Sequence, residues 1–329
     1  MSNKPKGEVN EMALLEVKHL KKYFHVGAGV NHAVDDITLK IEKGHTMGVV
    51  GESGCGKSTL GRTIIRLLDA TDGEVWLDGE NITNVSGKEL RKLREKVSII
   101  FQDPYASLNP RMSVEETIME PLQESKRYTK EEIRQRADEL MELVGIEERL
   151  RLAYPHEMDG GRRQRVGIAR AIALNPELIM CDEPVSALDV SIQAQVLNLL
   201  MELQKKFGLT YIFVTHDLSV VRHISDDICV MYLGQLVETS PAKELFRKTY
   251  HPYTKALLSA IPSIDLDNPM KRVALKGEIT SAINPKPGCR FAPRCPYATE
   301  ACSKPQTLEE VEPNHYVSCC RVREINHLQ

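Results

Sequence analysis

The sequence predicts an α/β protein in which a parallel sheet carries a phosphate-binding loop at the end of one strand. Three observations favour this class. Short hydrophobic runs alternate with amphipathic helical segments over most of the chain. The apolar run 47–50 leads directly into a glycine-rich loop, and a helical pattern follows that loop. Two later hydrophobic runs end in acidic residues or a histidine, at the strand ends where parallel sheets bind their ligands.

The composition is that of a globular protein and excludes several classes. Of the 329 residues, 42% are hydrophobic and 27% are charged, enough for one large or two ordinary domains. A net charge of −3 gives no sign of nucleic-acid binding. No apolar run approaches the length of a membrane span, and the polar segment 1–11 lacks the apolar stretch of a signal peptide. We therefore expect a cytosolic protein with reduced thiols.

The loop fits the pattern G-x-x-x-x-G-K-[ST], the phosphate-binding P-loop. Its glycines let successive backbone N–H groups point at phosphate oxygens. Lys57 is placed to reach the β- and γ-phosphates, and the Ser58 hydroxyl to bind Mg²⁺. A glycine-rich turn with a chance lysine is the alternative, but it does not account for the flanking strand and helix. The loop consists of Gly51, Glu52, Ser53, Gly54, Cys55, Gly56, Lys57, Ser58 and Thr59. It predicts binding of a nucleoside triphosphate.

Short strands are predicted on both sides of this loop. Residues 15–17 and 37–41 alternate apolar with polar side chains, as half-buried strands do. The Asp-Gly turn at 78–79 follows the run 74–77 and indicates a hairpin. Residues 97–101 form a further strand, so we expect one subdomain to be mixed β-sheet around the loop.

The pattern becomes helical from about 103 to 170, where Thr129 begins a capping box. Alternation of strands and helices resumes with a hydrophobic strand at 178–183 and a long amphipathic helix that ends at Gly208. Two further apolar strands follow before about residue 241, after which prolines become frequent and the alternation is lost. This order predicts a parallel sheet with helices on both faces.

Two carboxylates, Asp182 and Glu183, end the hydrophobic strand that precedes the long helix. A carboxylate in this position holds Mg²⁺ beside a bound nucleotide. A second one can polarise the attacking water as a general base. The alternative is a pair of acidic residues that caps a turn, which their place downstream of a P-loop disfavours.

Three other side chains have both a functional and an ordinary interpretation. His216 follows the next strand and can contact a γ-phosphate, although a lone histidine is more often structural. Gln102 ends the strand 97–101 and would by itself be a surface residue. Phe24, with Tyr23 beside it, either stacks on adenine or packs in a core or hairpin.

Taken together, these residues resemble the ATP-binding cassette of ABC transporters over almost the whole chain. The motifs occur in family order: Walker A at 51–59, the Q-loop glutamine at 102, a signature-like segment at 158–165, Walker B at 178–183, the D-loop at 186–189 and the switch histidine at 216. The resemblance implies a P-loop NTPase fold with a RecA-like parallel sheet core, an antiparallel β subdomain and a helical subdomain. It implies a cassette at 12–245, its helical subdomain at about 103–170, and a small cysteine-containing C-terminal extension at 246–329.

The resemblance also implies roles for individual residues. Two cassettes close head-to-tail over two ATP molecules, so that each signature faces the nucleotide of the other subunit. Catalytic roles fall on Glu183, His216 and Gln102, Mg²⁺ ligation on Ser58, Gln102 and Asp182, and adenine stacking on Phe24, or on Tyr23 in its place.

Further segments narrow the resemblance to the peptide/nickel importer ATPases. They are the Q-loop region 102–110, the triplet 251–253 (His-Pro-Tyr) and the cysteine-containing tail 289–319. Segments 181–189 and 283–285 are similar to the F-type ATPase of oligopeptide and dipeptide importers. This implies an ATPase on the cytoplasmic face of the membrane, with a second, D-type ATPase subunit, two permeases and an extracytoplasmic peptide-binding protein.

Several alternatives to this function remain. The cargo can be another molecule such as nickel, and the isolated chain can form a homodimer. The protein can also be a soluble ABC ATPase outside transport, or a subunit whose ATP only joins the dimer. No nucleic-acid partner is expected.

The signature segment departs from the family pattern Leu-Ser-Gly-Gly-Gln. Here it consists of Met158, Asp159, Gly160, Gly161 and Arg162. The serine and glycines normally close over the γ-phosphate on the partner subunit, and Asp159 brings a negative charge there. Because like charges repel, we expect the ATP site that this signature completes to hydrolyse slowly. The alternative is that Asp159 only caps the following helix.

Five of the eight cysteines lie in the last 41 residues, a cluster that in a reducing compartment more often binds metal than forms disulfides. Cys289, Cys295, Cys302 and Cys319 supply four thiolates suited to zinc or to an iron–sulfur cluster. The C-x₂-C pairs of zinc ribbons are missing, and the resembling importer tails suggest a 4Fe–4S cluster, which we favour over zinc. Free buried cysteines are the remaining alternative, and Cys320 can replace its neighbour.

Overall fold

Alternating apolar and polar residues build the first two strands, which pair as a long antiparallel hairpin. This computed structural model describes residues 13–261 and 281–328. The polar stretch 1–11 and the middle of the predicted extension therefore lie outside the described residues. In chain order the strands are β1 (Ala13–Val26), β2 (Gly29–Glu42), β3 (Thr46–Val50), β4 (Asp72–Leu77), β5 (Glu80–Asn81), β6 (Val97–Ile100), β7 (Leu178–Asp182), β8 (Thr210–Val214), β9 (Asp227–Tyr232), β10 (Gln235–Pro241), β11 (Glu309–Glu312) and β12 (His315–Val317).

Helices fill the connections between these strands. In chain order they are α1 (Lys57–Ile64), α2 (Gly87–Lys96), α3 (Pro104–Ser107), α4 (Val114–Ser125), α5 (Lys130–Leu143), α6 (Gly160–Ile172), α7 (Val190–Phe207), α8 (Leu218–Ile224), α9 (Ala242–Arg247), α10 (Pro252–Ser259) and α11 (Val322–Ile325). Short 3₁₀ helices occur at Glu148–Leu150, Pro155–Glu157, Ala292–Arg294 and Glu300–Ser303. No helix within 13–261 or 281–328 is long and apolar enough to cross a membrane.

Two sheets organise these elements. The larger has the strand order β11-β12-β10-β9-β3-β8-β7-β6, and its part from β9 to β6 is parallel. The smaller sheet is antiparallel, in the order β2-β1-β4-β5. Since β3 lies inside the parallel part, the P-loop that follows it opens at the same edge as the ends of β7 and β8. The predicted parallel core is confirmed.

The strands expected to form one subdomain of mixed β-sheet around the loop are divided between the two sheets. Strand β6 does not join the hairpin strands but pairs in parallel with β7. The chain between them contains four helices, α3 to α6, and a crossover of that length is what allows two successive strands to run in parallel. Gln102 is thereby brought to the edge of the sheet where Asp182 and Glu183 lie.

Helices α3 to α6 form the predicted helical region, with a core that contains Ile118, Leu140 and Val166. The capping box at α5 is present, because the Thr129 hydroxyl accepts from the Glu132 N–H at 3.2 Å and the Glu132 carboxylate accepts from the Thr129 N–H at 2.7 Å. These contacts satisfy backbone donors that the helix start leaves free.

The described part of the C-terminal extension does not stand apart from the main sheet. Strand β12 pairs with β10, and β11 pairs with β12. On β10 the fully buried Glu238 carboxylate accepts hydrogen bonds from the N–H groups of Tyr250 and His251. It also lies 2.8 Å from Nε2 of the buried His315 on β12. The extension is therefore tied to the sheet by buried polar contacts as well as by strand pairing.

Candidate functional site

The P-loop connects β3 to α1 by a turn that only glycine accommodates at two positions. Gly56 has a φ of 106°, and a Cβ there would lie 2.0 Å from the Ala33 carbonyl oxygen. A Cβ on Gly51 would lie 2.2 Å from the Met231 carbonyl oxygen. The backbones of β2 and β9 thus pack directly against the loop. This contact restricts the loop backbone to its curved conformation.

The Lys57 side chain folds back across this loop. It is 5% exposed, and its ammonium group donates to the carbonyl oxygens of Gly51 at 2.9 Å and Glu52 at 3.0 Å. The first turn of α1 begins at the same residue, so a helix N-terminus faces the loop as well. Positive charge and the N–H groups of a helix start therefore converge where the sequence predicts phosphate.

Asp182 ends β7 beside this helix. Its carboxylate is 1% exposed, accepts a hydrogen bond from the Ser58 hydroxyl at 2.6 Å, and lies 3.0 Å from the Arg62 guanidinium. A hydroxyl beside a carboxylate is the kind of hard oxygen set that Mg²⁺ prefers. The sequence prediction did not include Arg62, although its position four residues after Ser58 places it on the same helix face.

Glu183 follows in a strained conformation. Its φ is 47°, in the left-handed region that is costly for a residue with a Cβ, and its N–H donates to the Val214 carbonyl at 2.9 Å. The Gln102 amide donates to one carboxylate oxygen at 2.9 Å, and His216 Nδ1 lies 3.3 Å from the other. Three residues from separate connections, Gln102, Glu183 and His216, are therefore in direct contact.

The two adjacent aromatic residues differ in their surroundings. The Tyr23 ring stacks on His32 with 4.0 Å between ring centroids, and its hydroxyl donates to Asp35. Phe24 has the Lys22 ammonium 5.0 Å from its ring centre and is only partly buried. Tyr23 is engaged within the protein, whereas Phe24 is only partly buried and has a cation beside its ring.

The signature segment forms the start of α6. Asp159 is the N-cap residue, and its carboxylate accepts from the Arg162 N–H at 2.8 Å. The Arg162 guanidinium lies 3.2 Å from the same carboxylate and 3.3 Å from Glu147. Asp159 therefore has the helix-capping role that was the alternative to repelling the γ-phosphate. The Arg162 guanidinium also partly balances its charge.

The predicted cysteine ligands meet at one small cavity. Cys289, Cys295, Cys302 and Cys319 line it, together with Cys320, whose thiol interacts with that of Cys302. Burial raises the pKa of the Cys289 and Cys319 thiols to about 11. Within the described ranges, no group of three or more histidine, cysteine or acidic residues is arranged to hold a metal ion. The cavity has the donors of the predicted site but not a ligating geometry.

Family models match two parts of the chain. A model of the ABC transporter family matches residues 34–186, and one for the C-terminal region of oligopeptide/dipeptide transporters matches residues 237–302.

Relatives of known name match nearly the whole chain. The oligopeptide transport ATP-binding protein OppF of Bacillus subtilis (strain 168) is 53% identical, over 93% of this chain and 96% of its own length. AppF of the same organism and OppF of Salmonella typhimurium bear the same description. Each is 49% identical over 94% of this chain, and the matches cover 98% and 96% of their own lengths.

Solved structures match the cassette part of the fold. The ATP-binding cassette MJ0796, as a dimer in a post-hydrolysis state bound to ADP and Pi, has a TM-score of 0.64 at 32% identity, covering 69% of this chain and 98% of that chain. The protein cbiO1 from Clostridium perfringens, part of the ABC transporter complex cbiONQ, has a TM-score of 0.64 at 31% identity, covering 72% of this chain and 91% of its own.

Proposed function

Because the chain belongs to the ABC transporter family, we propose that its hydrolysis of ATP powers the import of oligopeptides through a pair of membrane permeases. The observation that carries the proposal is the meeting of the P-loop with Asp182, Glu183, Gln102 and His216 at one edge of the sheet. Identities of 49% to 53% with oligopeptide transport ATP-binding proteins support the cargo class.

Each polar residue of this site has a proposed role. Lys57 binds phosphate oxygens after leaving its two loop carbonyls, and Ser58 with Asp182 holds Mg²⁺, which neutralises phosphate charge when bound. Glu183 accepts the proton of the attacking water, while Gln102 and His216 orient its carboxylate. Phe24 stacks on adenine.

The assembly that we propose contains more than this chain. Residues 12–245 form the ATPase domain and 246–329 an extension specific to peptide importers. The chain pairs with a second, D-type ATPase, contacts two permeases at the cytoplasmic face of the membrane, and receives peptides from an extracytoplasmic binding protein. Names of the relatives support a peptide transport role, and the second family match supports the extension.

Reconstitution tests the cargo. The chain is purified with its co-purifying permeases and partner ATPase, placed in lipid vesicles, and assayed for phosphate release with and without peptide-loaded binding protein. We expect oligopeptides to stimulate ATP turnover. We also expect them to accumulate on the side of the vesicle membrane opposite the binding protein. Stimulation by nickel but not by peptides, or failure to associate with any permease, would contradict the proposal.

We further propose that the cysteine cavity holds a 4Fe–4S cluster with a structural role. Four of its cysteines are the sulfur donors that such a cluster needs, although they would have to move closer together to ligate it, and Cys320 is a spare. When bound, the cluster would cross-link the proline-rich segment that contains these cysteines. Zinc is the alternative metal.

Anaerobic purification tests this site. We expect broad absorbance near 400 nm and equal amounts of iron and sulfide, both lost in Cys302→Ser and retained in the matched Cys320→Ser control. One zinc per chain without colour would make zinc the metal. A folded extension without any metal would rule out the site.

A further inference from the structure

The P-loop is contacted by residues from the far end of the chain. Glu52, its second residue, forms a two-pronged ion pair with Arg294, at 2.7 and 3.1 Å between guanidinium nitrogens and carboxylate oxygens. The Glu52 N–H donates to the Tyr253 hydroxyl at 2.8 Å. Arg294 belongs to the short helix Ala292–Arg294, directly before Cys295 of the cysteine cavity. The extension thus holds both the backbone and the side chain of one P-loop residue.

These contacts are largely shielded from water. Arg294 is 8% exposed and Tyr253 fully buried, and the Arg294 guanidinium lies 5.9 Å from the centre of the Tyr232 ring. Arg294 Nε has no hydrogen-bond partner among the described residues. A buried ion pair contributes little to stability, and an unpaired buried N–H reduces it. A contribution to the stability of the folded protein therefore does not explain well why an arginine is buried at position 294.

Electrostatics at the P-loop gives a better account. The Glu52 carboxylate belongs to the loop that must receive a triphosphate, and a bare negative charge there would repel it. The paired Arg294 guanidinium neutralises that charge and fixes the orientation of the Glu52 side chain. Because the Arg294 side chain is 8% exposed and that of Glu52 is 23% exposed, solvent screens this pair less than a fully exposed one.

We propose that Arg294 and Tyr253 are positioning residues of the ATP site, and that Arg294 permits triphosphate binding by neutralising Glu52. The C-terminal extension is then a working part of the nucleotide site of its own chain. This inference depends on nucleotide binding by the P-loop and not on the transported cargo, so a wrong cargo assignment would leave it intact.

The test compares Arg294→Gln, Glu52→Gln and the double variant in the full-length chain. Equilibrium binding of a fluorescent ATP analogue is measured at several salt concentrations, with Lys304→Gln as a control that removes an exposed charge of the same extension. We expect Arg294→Gln to weaken binding by roughly 10- to 100-fold. The double variant should recover most of this loss, because the repelling carboxylate is gone, and the loss should shrink as salt rises. Lys304→Gln should bind normally.

The same variants distinguish a folding defect from the loss of charge neutralisation at Glu52. Thermal unfolding without nucleotide is recorded for each variant, and Arg294→Lys keeps the charge but not the two-pronged geometry. If Arg294→Gln unfolds, Arg294→Lys must bind with intermediate affinity for the proposal to stand. Normal binding by Arg294→Gln, or a loss that neither Glu52→Gln nor salt relieves, would overturn it.

Discussion

Replacing Glu183 with glutamine is expected to lower ATP turnover by roughly 10²–10⁴-fold while ATP binding stays intact. The amide keeps the shape that Gln102 and His216 contact but cannot accept a proton from water. Phosphate release by the reconstituted complex measures the loss, and equilibrium nucleotide binding measures what is kept. We also expect the variant to trap the closed, ATP-bound pair. Near-normal turnover would remove Glu183 from the role of general base.

Two controls sharpen this result. Glu202→Gln removes an exposed carboxylate on α7 and should leave turnover unchanged. The corresponding glutamate of the partner ATPase is the other control. In the assembly proposed above, Asp159 belongs to the signature that completes the partner's ATP site, and its charge is only partly balanced by Arg162. We therefore expect the partner's variant to cost less turnover than Glu183→Gln, and equal losses would exclude an asymmetry of the two sites.

Lys57→Ala is expected to weaken ATP binding itself, by about 10- to 100-fold, since a charged hydrogen bond to phosphate is lost. The same ammonium group bridges the carbonyl oxygens of Gly51 and Glu52, so the loop also loses internal contacts. Titration with an ATP analogue measures the change. Lys43→Ala, at an exposed lysine before β3, serves as the matched control. An unchanged affinity would contradict the assignment of the P-loop.

Sequence patterns predicted the parallel core and the P-loop well, because both follow from short-range order. A hydrophobic strand followed by chemistry-bearing residues places those residues at one sheet edge, and Asp182 was found there beside Ser58. The helix end at Gly208 likewise follows from a local rule, and its φ of 65° agrees with it.

Other features escaped prediction because no short-range pattern encodes them. The pairing of Arg294 with Glu52 joins positions 242 residues apart, and either residue alone is an ordinary charged side chain. The left-handed backbone of Glu183 accompanies an N–H bond to the neighbouring strand, which is distant in sequence. Predicting which strands belong to which sheet depends on the long helical crossover between β6 and β7. The alternation of strands and helices does not by itself indicate this.

The two strands that the extension adds also change how the sheet ends. Without β12, the backbone of β10 would present unpaired N–H and C=O groups, which are a template for pairing with another chain. The strand that takes over the outermost position, β11, is four residues long and carries Glu309, Glu310 and Glu312. A short strand with three like charges is a poor partner for a second copy of itself. The extension therefore replaces an edge strand that could pair with another chain by one whose like charges disfavour such pairing.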